Sequence, residues 1–191
     1  MQTIKYFIVT ILLTSLNGMS QESSNANQHS KQGFNFGIGI GYGLISGTMN
    51  DSSFKQGSAS LPNIKIGYMI KENLSLQLVL PGATYAQNDS PRGFEGVLLS
   101  AQWWPKNKWW IQGAAGMTFD APAFWTVDNP SEAQFFTGFP ALSFGTGFEI
   151  IQSRKFTLDA QYRIFYGQTN RQDTRELRGM SNMIIFGFNW Y

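Results

Sequence analysis

Apolar and polar residues alternate almost without fault over residues 156–166. Phe156, Leu158, Ala160, Tyr162, Ile164 and Tyr166 share one face; Thr157, Asp159, Gln161 and Arg163 share the other, with Phe165 the one apolar exception. Successive side chains of a strand point to opposite sides, so this segment is a ribbon with one apolar and one charged face. Seven more segments follow the same rule. In residues 34–44, Phe34, Phe36, Ile38, Ile40, Tyr42 and Leu44 stand opposite Asn35, Gly37, Gly39, Gly41 and Gly43. The others centre on residues 64–70, 74–80, 96–103, 109–119, 141–150 and 184–190.

The connections alternate in length. Residues 71–73, 106–108 and 152–155 read as tight turns, whereas 46–59, 86–92, 120–134 and 169–179 read as longer, mostly polar loops. An even number of strands with short turns at one end and long loops at the other is the pattern of a transmembrane barrel. The charged strand residues Lys65, Glu149, Asp159 and Arg163 all fall on the face shared with glycine, serine and glutamine. Turning a cation toward lipid at midplane costs about 2–4 kcal/mol, so the apolar face is expected outside. Closure follows, because an open sheet edge in hydrocarbon leaves backbone groups unsatisfied. The pattern therefore predicts an all-β fold: an eight-stranded antiparallel up-and-down transmembrane β-barrel. Side chains just fill a barrel of that size, so no open pore is expected.

The ends fit that destination. Lys5, the apolar run 6–16 and the small residues Gly18 and Ser20 read as a signal peptide over residues 1–20. Residues 21–33 are polar and aperiodic and read as a flexible periplasmic leader, with the barrel over 34–191. The run 6–16 is too short for a membrane-spanning helix, which needs about 20 residues. With no cysteine, the chain has neither disulfides nor a thiolate metal site. A net charge of +2, without a basic patch interleaved with aromatics, argues against nucleic acid. Aromatics at 15% and 20 glycines suit a barrel with aromatic girdles and close inward packing.

Inside such a barrel, Lys65, Glu149, Asp159 and Arg163 are expected to form a balanced charge network that plugs the lumen, because buried charges need partners. Asp159 and Arg163 lie too far apart on one strand to pair directly, so partners are expected from other strands. The glycines at 37, 39, 41 and 43 are expected to make room for bulky inward groups such as Arg163, Trp110 and Phe165. Trp103, Trp104, Trp109, Trp110 and Trp190 are expected to form a girdle near the short turns, with Tyr42, Phe119 and Tyr166 at the other end.

These features resemble the small outer-membrane β-barrel superfamily, of the type of the outer-membrane protein A transmembrane domain and outer-membrane protein X. The resemblance covers residues 34–191 and rests on the signal peptide, the eight alternating strands and the C-terminal strand 183–191, whose ending is similar to barrels of Bacteroidetes-type bacteria. It implies an outer-membrane location with both termini periplasmic, contact with lipid and lipopolysaccharide, a monomer, and recognition by the barrel-assembly machinery through the last strand. The outward register ends on Trp190, leaving Tyr191 as an extra terminal residue.

Small barrels that act on lipid A rely on a histidine base, and the one histidine here, His29, lies in the leader. Asp120, Asp128 and Glu132 fall in one long loop, and no metal-ligand spacing is present. No enzymatic role and no cofactor is expected. The loops offer surface-binding candidates instead: Phe124 and Trp125 at one tip, and Arg171, Arg175 and Arg178 as phosphate partners for lipopolysaccharide. Two other readings compete with a structural or surface-interaction role. One is a narrow channel or carrier for small or apolar solutes. The other is a soluble lipocalin-like barrel, which needs the apolar faces turned inward.

Overall fold

The computed structural model describes residues 31–49, 51–61, 63–87, 90–123, 135–153, 155–170 and 176–191. Ten strands follow in chain order: β1 Gly33–Met49, β2 Ser52–Ser60, β3 Ile64–Lys71, β4 Leu74–Leu80, β5 Gly82–Gln87, β6 Ser90–Lys106, β7 Trp109–Pro122, β8 Phe136–Gln152, β9 Phe156–Asn170 and β10 Glu176–Trp190. Every pairing is antiparallel, and β10 closes on β1 from Phe36 opposite Trp190 to Met49 opposite Leu177. The circuit β1-β3-β4-β6-β7-β8-β9-β10 is a closed barrel of eight staves. β2 extends the β3 stave along the same edge of β1, and β5 extends the β4 stave along β6.

Three of the expected long loops are shorter than the pattern suggested. β1 runs to Met49 and β2 starts at Ser52, so most of 46–59 is hairpin; β5 and β6 likewise take up most of 86–92. β9 runs to Asn170 and β10 starts at Glu176, which puts Arg178 in a strand. Polar residues on both faces hid these extensions, because alternation marks a strand only where one face is apolar.

Parity decides which side meets what. Leu99, Ile40 and Ile184 stand outward at 74%, 65% and 61% exposure, whereas Trp110, Glu149 and Phe165 point inward and are buried. A soluble barrel with its apolar face inside is therefore ruled out. The outward band runs from Trp103, Trp109 and Trp190 near the short turns to Lys55 and Glu95 toward the other end. From Trp103 to Glu95 is about 26 Å along a strand rising about 3.3 Å per residue. Trp104 and Trp110 correct the expected girdle, since both face inward at 4% and 0% exposure.

Inward glycines accommodate specific neighbours. A Cβ at Gly37 would strike Lys65 and Asn189; one at Gly39 or Gly41 would strike Ile185; one at Gly147 would strike the Trp110 ring. The space near β1 thus serves Lys65, Asn189 and Ile185 rather than the expected Arg163, Trp110 and Phe165. Gly147→Val is expected to cost about 1–3 kcal/mol by overpacking. Gly113→Ala, where a Cβ meets nothing within 4 Å, is expected to be neutral or slightly stabilising. Urea unfolding of both variants in detergent checks the contrast.

One part of the wall lacks a backbone ladder. The β2 and β5 edges meet through side chains: Ser60 Oγ donates to Gly82 O at 2.7 Å, and Gln56 Nε2 donates to Ala86 O at 3.0 Å while its Oε1 accepts from Ala86 N at 2.9 Å. Thr84 Oγ1 accepts from Ala59 N at 3.2 Å. This seam begins where both staves break, between Ser60 of β2 and Ile64 of β3 and at Pro81, which has no N–H to give a ladder.

Candidate functional site

Chain parity sets the inward side chains in layers. At the short-turn end, the Glu149 carboxylate is fully buried. Its Oε1 accepts from Lys31 Nζ and from Trp104 Nε1 at 2.7 Å, and its Oε2 accepts from Gln152 Nε2 at 2.6 Å. Lys31 also lies 4.2 Å from the Trp104 ring centre and 5.4 Å from that of Tyr191. Burial pushes the Lys31 ammonium below its ordinary value, and Glu149 pulls it back up. Burial, followed by the Glu149 and Asp159 charges, pushes the Tyr191 phenol well up, so it stays neutral.

The next layer centres on Asp159, which sits directly across the sheet from Glu149. Two like charges opposite one another repel, so each carboxylate needs its own donors. Asp159 Oδ2 accepts from Trp110 Nε1 and Asn189 Nδ2, both at 3.1 Å, and Oδ1 accepts from Gln161 Nε2 at 2.7 Å. Lys65 Nζ lies 4.0 Å from Asp159 Oδ2 and 5.0 Å from the Trp110 ring centre. Arg163 donates to Asn63 Oδ1 at 2.7 Å and to Gln161 Oε1 at 3.1 Å. Gln161 therefore relays between Asp159 and Arg163. A chain of amides crosses beside them: Gln112 donates to Gln77 at 3.0 Å, and Asn35 donates to Ser75 at 2.7 Å.

Above this polar layer the interior turns apolar. Ile45, Val79, Ala83, Tyr85, Phe94, Leu98, Phe165, Leu177, Met183 and Ile185 form one buried cluster. Phe94 and Phe165 meet at 5.3 Å between ring centres, and Phe54 stacks on Tyr85 at 5.6 Å. At the same end Arg92 Nε donates to the buried Asp120 Oδ1 at 2.8 Å. Asp120 thus belongs to β7, not to a loop. Among the described residues no group of three His, Cys, Asp or Glu side chains is placed to hold a metal.

Neither a family model nor a curated protein matches the chain. Solved structures do. Neisserial surface protein A is 19% identical with a TM-score of 0.56, the match covering 81% of this chain and 96% of the other. Ail, the attachment invasion locus protein of Yersinia pestis, solved in complex with the heparin analogue sucrose octasulfate, is 15% identical with a TM-score of 0.50, covering 81% and 99%. This chain has the fold of the small outer-membrane β-barrels.

Within that barrel, the structure brings Lys65, Asp159 and Arg163 into one layer, with Glu149 beside them. Among the described residues Arg163 is held by amides rather than by a carboxylate. Glu149 takes a partner outside the expected set, Lys31, which belongs to the polar leader and carried no periodic signal. Trp110, Gln161 and Asn189 were legible as inward residues by parity, but not as donors, and Trp104 was expected in the girdle rather than inside. Of the surface candidates, Arg178 is exposed on the outward face of β10, opposite Thr48 and Gln168. Phe124, Trp125, Arg171 and Arg175 lie outside the described residues, as do the signal peptide and His29.

Proposed function

We propose that the chain is a monomeric, integral outer-membrane barrel with a plugged lumen, both ends of the barrel chain at the periplasmic face, and a structural or surface-interaction role without enzymatic activity. The observation that carries this reading is the pairing of a continuous outward apolar band with buried inward layers of charge, amide and apolar side chains. A belt of Leu99, Ile40 and Ile184 suits hydrocarbon far better than water. The outer surface meets lipid, and Arg178, at the band's outer edge, meets lipopolysaccharide phosphate together with Arg171 and Arg175. The final strand, ending in Trp190 and Tyr191, engages the assembly machinery.

Reconstitution into planar bilayers is expected to give no steady single-channel steps. Reproducible steps would overturn the plugged lumen. Replacing Arg171, Arg175 and Arg178 together is expected to weaken lipopolysaccharide binding; unchanged affinity would remove the surface-binding part. A second reading, a carrier for small apolar solutes, is favoured by one observation: the β2–β5 seam is closed by side chains, and Ala83 and Tyr85 of the apolar layer sit on the seam's own β5 strand. Uptake of an apolar dye into vesicles, abolished by a cysteine pair locking residues 59 and 84, would favour it.

A further inference from the structure

The floor of the barrel carries chemistry that a simple stopper does not need. Its walls come from three separate elements: Trp104 from β6, Glu149 and Gln152 from β8, and Tyr191 just past β10. Tyr191 packs edge-on to Trp104 with ring centres 6.3 Å apart and hydrogen-bonds Thr157. None of these walls depends on the leader. A buried carboxylate beneath two aromatic faces is a receptor for a cation, and an ammonium suits it, because its N–H groups reach the carboxylate while its charge faces the rings. The occupant is Lys31, two residues ahead of Gly33, whose φ of +76° turns the chain where other residues would be strained.

We propose that Glu149, Trp104 and Tyr191 form a binding site for a primary alkylammonium group, and that Lys31 is its resident, exchangeable occupant. With Lys31 home the mouth is closed. With it withdrawn, the site faces the mouth and takes a free amine on an unbranched stem. Because Lys31 sits two residues ahead of β1, it fills the site intramolecularly at an effective concentration above that of a free amine in the millimolar range, so an external amine competes poorly with the intact chain and binds once Lys31 is removed.

The test uses the full-length chain in detergent, read by its thermal unfolding midpoint. Lys31→Ala is expected to lower the midpoint, and n-propylammonium is expected to restore it saturably at millimolar concentration, with 1-propanol inert and the unaltered chain unresponsive. Adding Glu149→Gln to Lys31→Ala is expected to abolish the restoration. Should Lys31→Ala fail to fold, a second route remains, since the chain has no cysteine of its own. Lys31→Cys is alkylthiolated in denaturant and then refolded: an aminoethyl adduct, which rebuilds an ammonium, is expected to fold like the unaltered chain, and a sulfonatoethyl adduct is not. Equal restoration by propanol, no restoration by propylammonium, or equal refolding of both adducts would overturn the proposal.

Discussion

Asp159→Ala is expected to destabilise the barrel by about 3–5 kcal/mol, the range for leaving a buried charge without its partner. Asp159 is 2% exposed and accepts from Trp110, Asn189 and Gln161. Alanine would orphan the Trp110 and Gln161 donors, leave Asn189 Nδ2 with Thr157 alone, and remove the carboxylate nearest Lys65, 4.0 Å away. At an effective dielectric of about 20, two charges at that distance attract by about 4 kcal/mol, in line with the same range. Lys65 is buried: it is 7% exposed and lies against Gly37. Relief must then come from neutralising the cation. Asp159→Ala with Lys65→Met is expected to recover part of the loss, because the buried cation left without its carboxylate is then gone, while the donors to Asp159 stay unpaired. Urea titration of the two single variants and the double variant gives the coupling. A loss under about 1 kcal/mol for Asp159→Ala would show that the layer does not rely on its charges.

Much of the barrel was legible because one face of each strand is apolar. Residues 156–166 announce β9 and its register, and the inward set it implies contains Asp159, Gln161 and Arg163. The exceptions to alternation were harder to read. Phe165 alone looks like noise in a polar face. Packed in one cluster with Leu98, Val79 and Ile185 it becomes part of an apolar layer. Height depends on the stagger between neighbouring strands, and that stagger is not written in any one segment. The seam was hidden for the same reason: Pro81 and the end of β2 at Ser60 are ordinary features alone, and their alignment on adjacent staves is a property of register. Lys31 could not be found, since a single cation in an aperiodic polar stretch gives no direction. Tyr191, left over in the outward register, is explained by its inward turn onto Trp104.

The reading of the whole molecule stands on which solvent the outer face meets. Leu99 lies in the middle of the outward band, 74% exposed, with Leu78 and Ala115 opposite it on the neighbouring strands. In water an exposed leucine replaced by arginine changes stability by no more than about 0.5 kcal/mol. At the midplane of a bilayer the same change costs about 2–4 kcal/mol. The decisive measurement is the unfolding free energy of Leu99→Arg against the unaltered chain, both folded into phosphatidylcholine vesicles and titrated with guanidinium. A loss of about 2–4 kcal/mol is the predicted result. A loss below about 0.5 kcal/mol would contradict a lipid-facing exterior.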